Sequence, residues 1–150
     1  MRETIALSLE NVRSAGGGPF AAVVVRGDSV IARGVNRVTA SLDPTAHSEI
    51  VAIREACQAL RTFQLSDCEL YTNCEPCPMC MAAIYWARLG KVYYANTRHD
   101  AGAIGFDDSL IYDELALPPG DRRIPMTQVM REEAMEAFRA WEKSARKIKY

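Results

Sequence analysis

Hydrophobic and polar positions along the chain alternate between two periods. Ile5, Leu9 and Val12 share one stripe of a helix over Arg2 to Ser14, which ends at Gly16-Gly17-Gly18-Pro19. The triple glycine reads either as a stop to that helix or as a place where backbone can come close to a ligand beside Phe20. From Phe20 the period shortens. β-Branched residues run to Arg26, Gly27-Asp28 turns the chain and Val30 to Asn36 follows, which predicts a hairpin. Helical spacing returns after Asp43-Pro44-Thr45, with Thr45 as N-cap and Ile50, Ile53, Cys57 and Leu60 as the buried face. Cys68 to Asn73 and Lys91 to Asn96 read as strands. Between them lies a helix opened by Pro76 and Pro78 and continuing through Ala83, Ile84 and Trp86.

Beyond Asn96 the pattern weakens. Thr97 to Asp108 is rich in Gly and Asp and reads as irregular, with Asp107 and Asp108 open to service as an N-cap pair for a short helix over Ser109 to Leu115. Pro118-Pro119-Gly120-Asp121 is a turn, and Ile124 to Met130 is expected as a fifth strand. Arg131 to Lys147 is the final helix, with Ala134, Met135, Phe138 and Trp141 as its apolar stripe, a core or dimer surface. Strands alternating with helices imply a partly parallel sheet and an α/β fold.

Composition sets the limits. With 150 residues and 49% hydrophobic content, the chain is expected to be a single domain, 1–150, with one core. A net charge of −1 gives no bulk attraction to nucleic acid or anionic membrane, and the basic cluster from Lys143 to Lys149 suits the end of a helix. The longest apolar run, Met79 to Ala87, is far shorter than the ~20 residues that span a bilayer. Met1 to Arg13 mixes charges with its apolar residues, unlike a signal peptide. Five cysteines, three of them at positions 74, 77 and 80, suit a reducing compartment. The expected location is cytoplasmic. Cys57 and Cys68 read as small core residues and His99 as solvated.

The chemistry concentrates in His47-Ser48-Glu49 and Cys74-Glu75-Pro76-Cys77-Pro78-Met79-Cys80. A catalytic zinc keeps three protein ligands and an open position for water, and His47, Cys77 and Cys80 supply that set. Glu49 is the carboxylate placed to carry the water's proton. Two residues apart on a helix means a rotation of about 200°, so His47 and Glu49 converge only beyond the helix end, where the dipole also favours an anion. A lone Cys-x-x-Cys would equally suit a redox dithiol or a zinc ribbon. A closed structural site of Cys74, Cys77, Cys80 and His47 is the bland alternative, with Glu49 only a first-turn carboxylate.

His-x-Glu followed by Pro-Cys-x-x-Cys is the signature of the zinc-dependent nucleobase deaminases, so the chain resembles the cytidine deaminase superfamily. Asp43-Pro44-Thr45-Ala46-His47, Tyr71-Thr72, Ala83-Ile84-Tyr85-Trp86-Ala87-Arg88, Gly105-Phe106-Asp107-Asp108-Ser109 and the closing Tyr150 resemble its bacterial guanine deaminases. That resemblance implies a three-layer α/β/α sandwich around a five-stranded mixed sheet. It also implies a homodimer whose C-terminal segment, about 109–150, crosses between subunits. The implied reaction is hydrolysis of guanine to xanthine and ammonia by a zinc-activated hydroxide, with Zn²⁺ the cofactor and a purine base and water the small-molecule partners. Asn36 would bind the purine, Phe20 would stack near it, Asp108 would assist at the leaving amine, and Trp86 and Tyr150 would close the pocket. Read without the resemblance, Asn36 at a strand end is more often a turn residue than a ligand contact. Ser48 stands where such enzymes commonly carry Ala. A tRNA-specific adenosine deaminase, or a deaminase of a related nucleoside, cytosine or amino-triazine, shares the same metal signature.

Overall fold

A computed structural model describes the whole chain, Met1–Tyr150. It divides into two units, Met1–Asp108 and Ser109–Tyr150.

In the first unit, the hairpin strands are β1 (Ala21–Arg26) and β2 (Ser29–Val35), and β3 (Glu69–Cys74) and β4 (Lys91–Asn96) complete a sheet of order β2-β1-β3-β4. β1 runs antiparallel to both β2 and β3, while β3 and β4 are parallel, so the sheet is mixed. It has four strands, which corrects the expectation of five. The segment meant to supply the fifth, Ile124 to Met130, forms no strand. Pro125, next to its start, removes a ladder donor, and Met130 has a left-handed backbone at φ 51°.

Helices cover both faces. α3 (Ser48–Leu60) and α4 (Pro78–Ala87) pack on the face carrying Ala22, Val24 and Leu70. Leu65, Leu70 and Val24 are wholly buried there, each contributing about 1.5 to 3 kcal/mol of transfer free energy. The buried face of α3 is centred on Ala52, Ile53 and Ala56, with Ile50, Cys57 and Leu60 at its partly exposed margins. Close approach explains the preference for alanine. A Cβ on Gly34 of β2 would lie 2.2 Å from the Ser48 carbonyl oxygen and 2.5 Å from the Ala52 nitrogen, so strand and helix meet backbone to backbone.

α1 (Arg2–Arg13) inverts the expected polarity. Thr4, Ser8 and Asn11 are buried, and Ile5, Leu9 and Val12 are about half exposed. The small polar face serves the backbone, since Asn11 Nδ2 donates to the carbonyls of both Gly18 and Asn36 at 2.9 Å. A short α2 (Val38–Ser41) follows β2. The stretch after β4 is not irregular throughout, because it contains α5 (Arg98–Ala103), started by a reciprocal capping box between Thr97 and Asp100.

The second unit holds α6 (Ser109–Ala116), a 3₁₀ turn (Pro119–Asp121) and α7 (Arg131–Lys143). None of its residues is buried. Phe138, on the expected apolar stripe, is 70% exposed. No helix of the chain is long and apolar enough to cross a membrane.

Candidate active site

Two cap positions and one first-turn residue build the site. His47 is the N-cap of α3 and Cys77 the N-cap of α4, both with extended backbone, and neither side chain bonds back to its own helix. Thr45 is not the cap. Its N–H and hydroxyl both donate to Asp43 Oδ1, at 2.8 and 2.7 Å, in a turn that delivers the chain to His47. Cys80 lies three residues beyond Cys77, in the first turn of α4. Two helix N-termini therefore face one point, which resolves how His47 and Glu49 converge despite their spacing.

His47 Nδ1 lies 3.5 Å from the sulfurs of both Cys77 and Cys80. All three donor atoms fall within 4.8 Å of one another. Tetrahedral zinc with bonds of about 2.3 Å to sulfur and about 2.0 Å to nitrogen would hold such a pair about 3.5 Å apart. The donor set therefore fits zinc in both chemistry and spacing. Cys74 stands apart: its thiol donates to the Thr97 carbonyl at 3.6 Å, and burial pushes it up to about 11, so it remains a thiol. A closed four-ligand site is not what these residues form.

Electrostatics singles out Cys77 as the thiolate of the set. A hydrogen bond from Cys80 holds the Cys77 thiol down to about 4, with help from His47, and the same bond pushes the Cys80 thiol upward. His47 is raised chiefly by its bond to Cys77. Burial pushes the Glu49 carboxyl up, partly opposed by hydrogen bonds from Ser48 and Thr72. Glu49 Oε2 lies 3.5 Å from Cys80 Sγ, which puts the carboxylate against the ligand cluster. Burial and then the Cys77 charge raise Asp108, and His47 in turn feels the Asp108 charge, so this residue belongs to the same neighbourhood.

The expected ligand-facing residues divide. Asn36 is buried at the end of β2, where its Oδ1 accepts from the N–H groups of Gly18 and Val38, both at 3.3 Å. With both lone pairs occupied, what Asn36 offers a ligand is its amide donor. Phe20 meets Phe106 edge to face, ring centroids 4.9 Å apart, so the aromatic wall is a pair. Trp86 follows Cys80 by six residues, about 9 Å along the helix axis, and is 65% exposed. Tyr150 closes the second unit.

Sequence reasoning missed the supports. Asn73 is buried at the end of β3, accepting from the Ala21 N–H at 2.8 Å and donating to the Pro19 carbonyl at 2.9 Å. With Asn11 and Asn36 it ties the glycine-rich loop on both sides of Phe20. Gly17 presses so close that a Cβ there would sit 2.3 Å from the Asn36 carbonyl oxygen. The only signal in the sequence was an asparagine at each strand end.

The cytidine and deoxycytidylate deaminase zinc-binding region matches residues 1–96. The chain belongs to this deaminase family. It is 50% identical to the guanine deaminase of Bacillus subtilis over 150 residues, covering all of this chain and 96% of that protein. The X-ray structure of guanine deaminase from Bacillus subtilis superposes with a TM-score of 0.96 over 99% of this chain and 95% of that one. Within the same family, the tRNA-specific adenosine deaminase of Agrobacterium fabrum is 45% identical over 101 residues, covering 65% of this chain and 66% of that protein.

Proposed function

We propose that the chain is a guanine deaminase: water's oxygen becomes the new oxygen at C2 of the base, and the exocyclic nitrogen leaves as ammonia. The observation that carries this reading is the full-length match, second unit included, to a guanine deaminase at 50% identity. The tRNA deaminase match covers only 65% of the chain.

His47, Cys77 and Cys80 would hold the zinc. When bound, zinc supplies Lewis-acid activation of the attacking water. Glu49 takes the water's two protons in turn, passing the first to a ring nitrogen of the base and the second to the departing amine, a role suited to a buried carboxyl whose affinity for protons is raised. Asn36 presents its amide donor to an acceptor on the purine rim, and Phe20, braced by Phe106, lies along the base. Asp108, whose carboxyl is also raised by burial, would receive the amine. Exclusion of water strengthens each of these contacts.

A homodimer completes the assignment. The 1–150 chain acts as one deaminase domain, a central mixed sheet between two helical layers, with the 109–150 segment exchanged between copies. What supports this is the second unit's lack of any buried residue. Trp86 and Tyr150 would then close the pocket. The five free cysteines suit a reducing cytoplasm.

The test is ammonia release by the zinc-loaded protein from guanine, guanosine, adenine, cytosine, cytidine and an amino-triazine. Glu49→Gln, expected to keep zinc and lose 10²- to 10⁴-fold in rate, serves as the blank. Turnover of guanine alone is expected. Inosine formed in tRNA anticodon loops with guanine untouched would overturn the assignment.

A further inference from the structure

Glu49 is held from two sides. Its Oε2 accepts from the Ser48 hydroxyl at 3.0 Å and its Oε1 from the Thr72 hydroxyl at 3.1 Å. The two hydroxyls come from different elements, the first residue of α3 and the middle of β3. Both Ser48 and Thr72 are fully buried.

Each clamp has its own anchor. The contact with Gly34 fixes the Ser48 peptide, where any Cβ would collide with the Ser48 carbonyl. Thr72 is paired with Ala22 in the β1–β3 register, which fixes its backbone, and its single hydroxyl proton goes to Glu49 at 3.1 Å rather than to the competing Ala21 carbonyl at 3.3 Å. A glutamate has three side-chain torsions, and one hydrogen bond leaves the carboxylate free to swing about the bonded oxygen. Bonds to opposite oxygens remove that freedom. A hydroxyl buried merely to fill space would cost desolvation that alanine avoids, so the Ser48 hydroxyl offsets its burial through Glu49.

We propose that Ser48, opposed by Thr72, is a positioning residue that fixes the carboxylate plane of Glu49 beside Cys80. This rests on Glu49 being the proton carrier of the reaction proposed above. Misplacement of a proton carrier is felt in the chemical step rather than in binding.

Ser48→Ala should lower kcat on guanine by roughly 10-fold, short of the 10²- to 10⁴-fold expected for losing the carboxylate itself, with KM and zinc content unchanged. Thr72→Val should act similarly and Thr72→Ser should restore the rate, since the hydroxyl and not the methyl is used. The second readout needs no substrate. Infrared difference spectra of zinc-loaded protein with ¹³C-labelled glutamate, assigned against Glu49→Gln, should show the carboxylate bands of Glu49 displaced in Ser48→Ala and in Thr72→Val. Unchanged kcat in both variants, a rise in KM alone, or unmoved bands would overturn the clamp. A wild-type protein silent on every base would instead overturn the functional reading, and the infrared result would then decide the clamp by itself.

Discussion

The two units of this chain follow opposite rules. Met1–Asp108 buries Leu65, Leu70, Val24 and Ile84 in one core and draws a histidine, two cysteines and a glutamate together at the mouths of two helices. Ser109–Tyr150 buries nothing, yet it displays Ile124, Val129, Met130, Phe138, Trp141 and Ile148. A segment that short cannot meet its ordering entropy from its own core. The contrast teaches where each kind of constraint lives. The candidate metal ligands all lie in the first unit, whereas the second unit displays apolar surface that the dimer proposed above would cover.

Three perturbations sharpen that contrast. The largest effect is expected inside the first unit: Cys80→Ala should abolish zinc retention, measured by metal analysis after dialysis, and reduce activity to background. It should also remove the stabilisation zinc gives the folded state, about 4 kcal/mol at a thousandfold excess over the dissociation constant, seen as a lower Tm in zinc-containing buffer. Next comes the second unit, where Phe138→Asp with Trp141→Asp should shift the protein from dimer to monomer in light scattering while leaving bound zinc in place. A dimer unchanged by both substitutions would separate α7 from the assembly surface. The smallest effect concerns the support of the ligand-facing loop: Asn11→Ala, which unties Gly18 and Asn36, should raise KM by roughly 10-fold at nearly constant kcat, the cost of a lost buried hydrogen-bond donor. A fall in kcat with KM unchanged would show that the loop serves the chemical step instead.

What the sequence revealed follows from the range of each interaction. His47, Glu49, Cys77 and Cys80 were legible because ligand type and short spacing carry the chemistry, and all four strands of the sheet were placed within about a residue of their observed ends. The face of α1 was misread because periodicity records which residues are apolar, not which must approach backbone closely, and here Asn11 had to reach Gly18. Ile124 to Met130 looked like a strand because its apolar residues outweighed Pro125. The start of α5 did carry a signal, Thr97 followed three residues later by Asp100, masked by the glycines around it. Ser48, Thr72 and Asn11 left no local pattern, and Asn73 only its place near a strand end, since the chain brings their partners together only on folding, for Asn73 from more than fifty residues away.

Gly34 carries a practical lesson for anyone mapping or redesigning this chain. It neither ligates metal nor faces the base, yet the depth at which α3 sits on the sheet is set by the methyl it lacks. In a saturation library it should score as intolerant as a ligand, and a survey that ranks positions by distance from the chemistry would misjudge it.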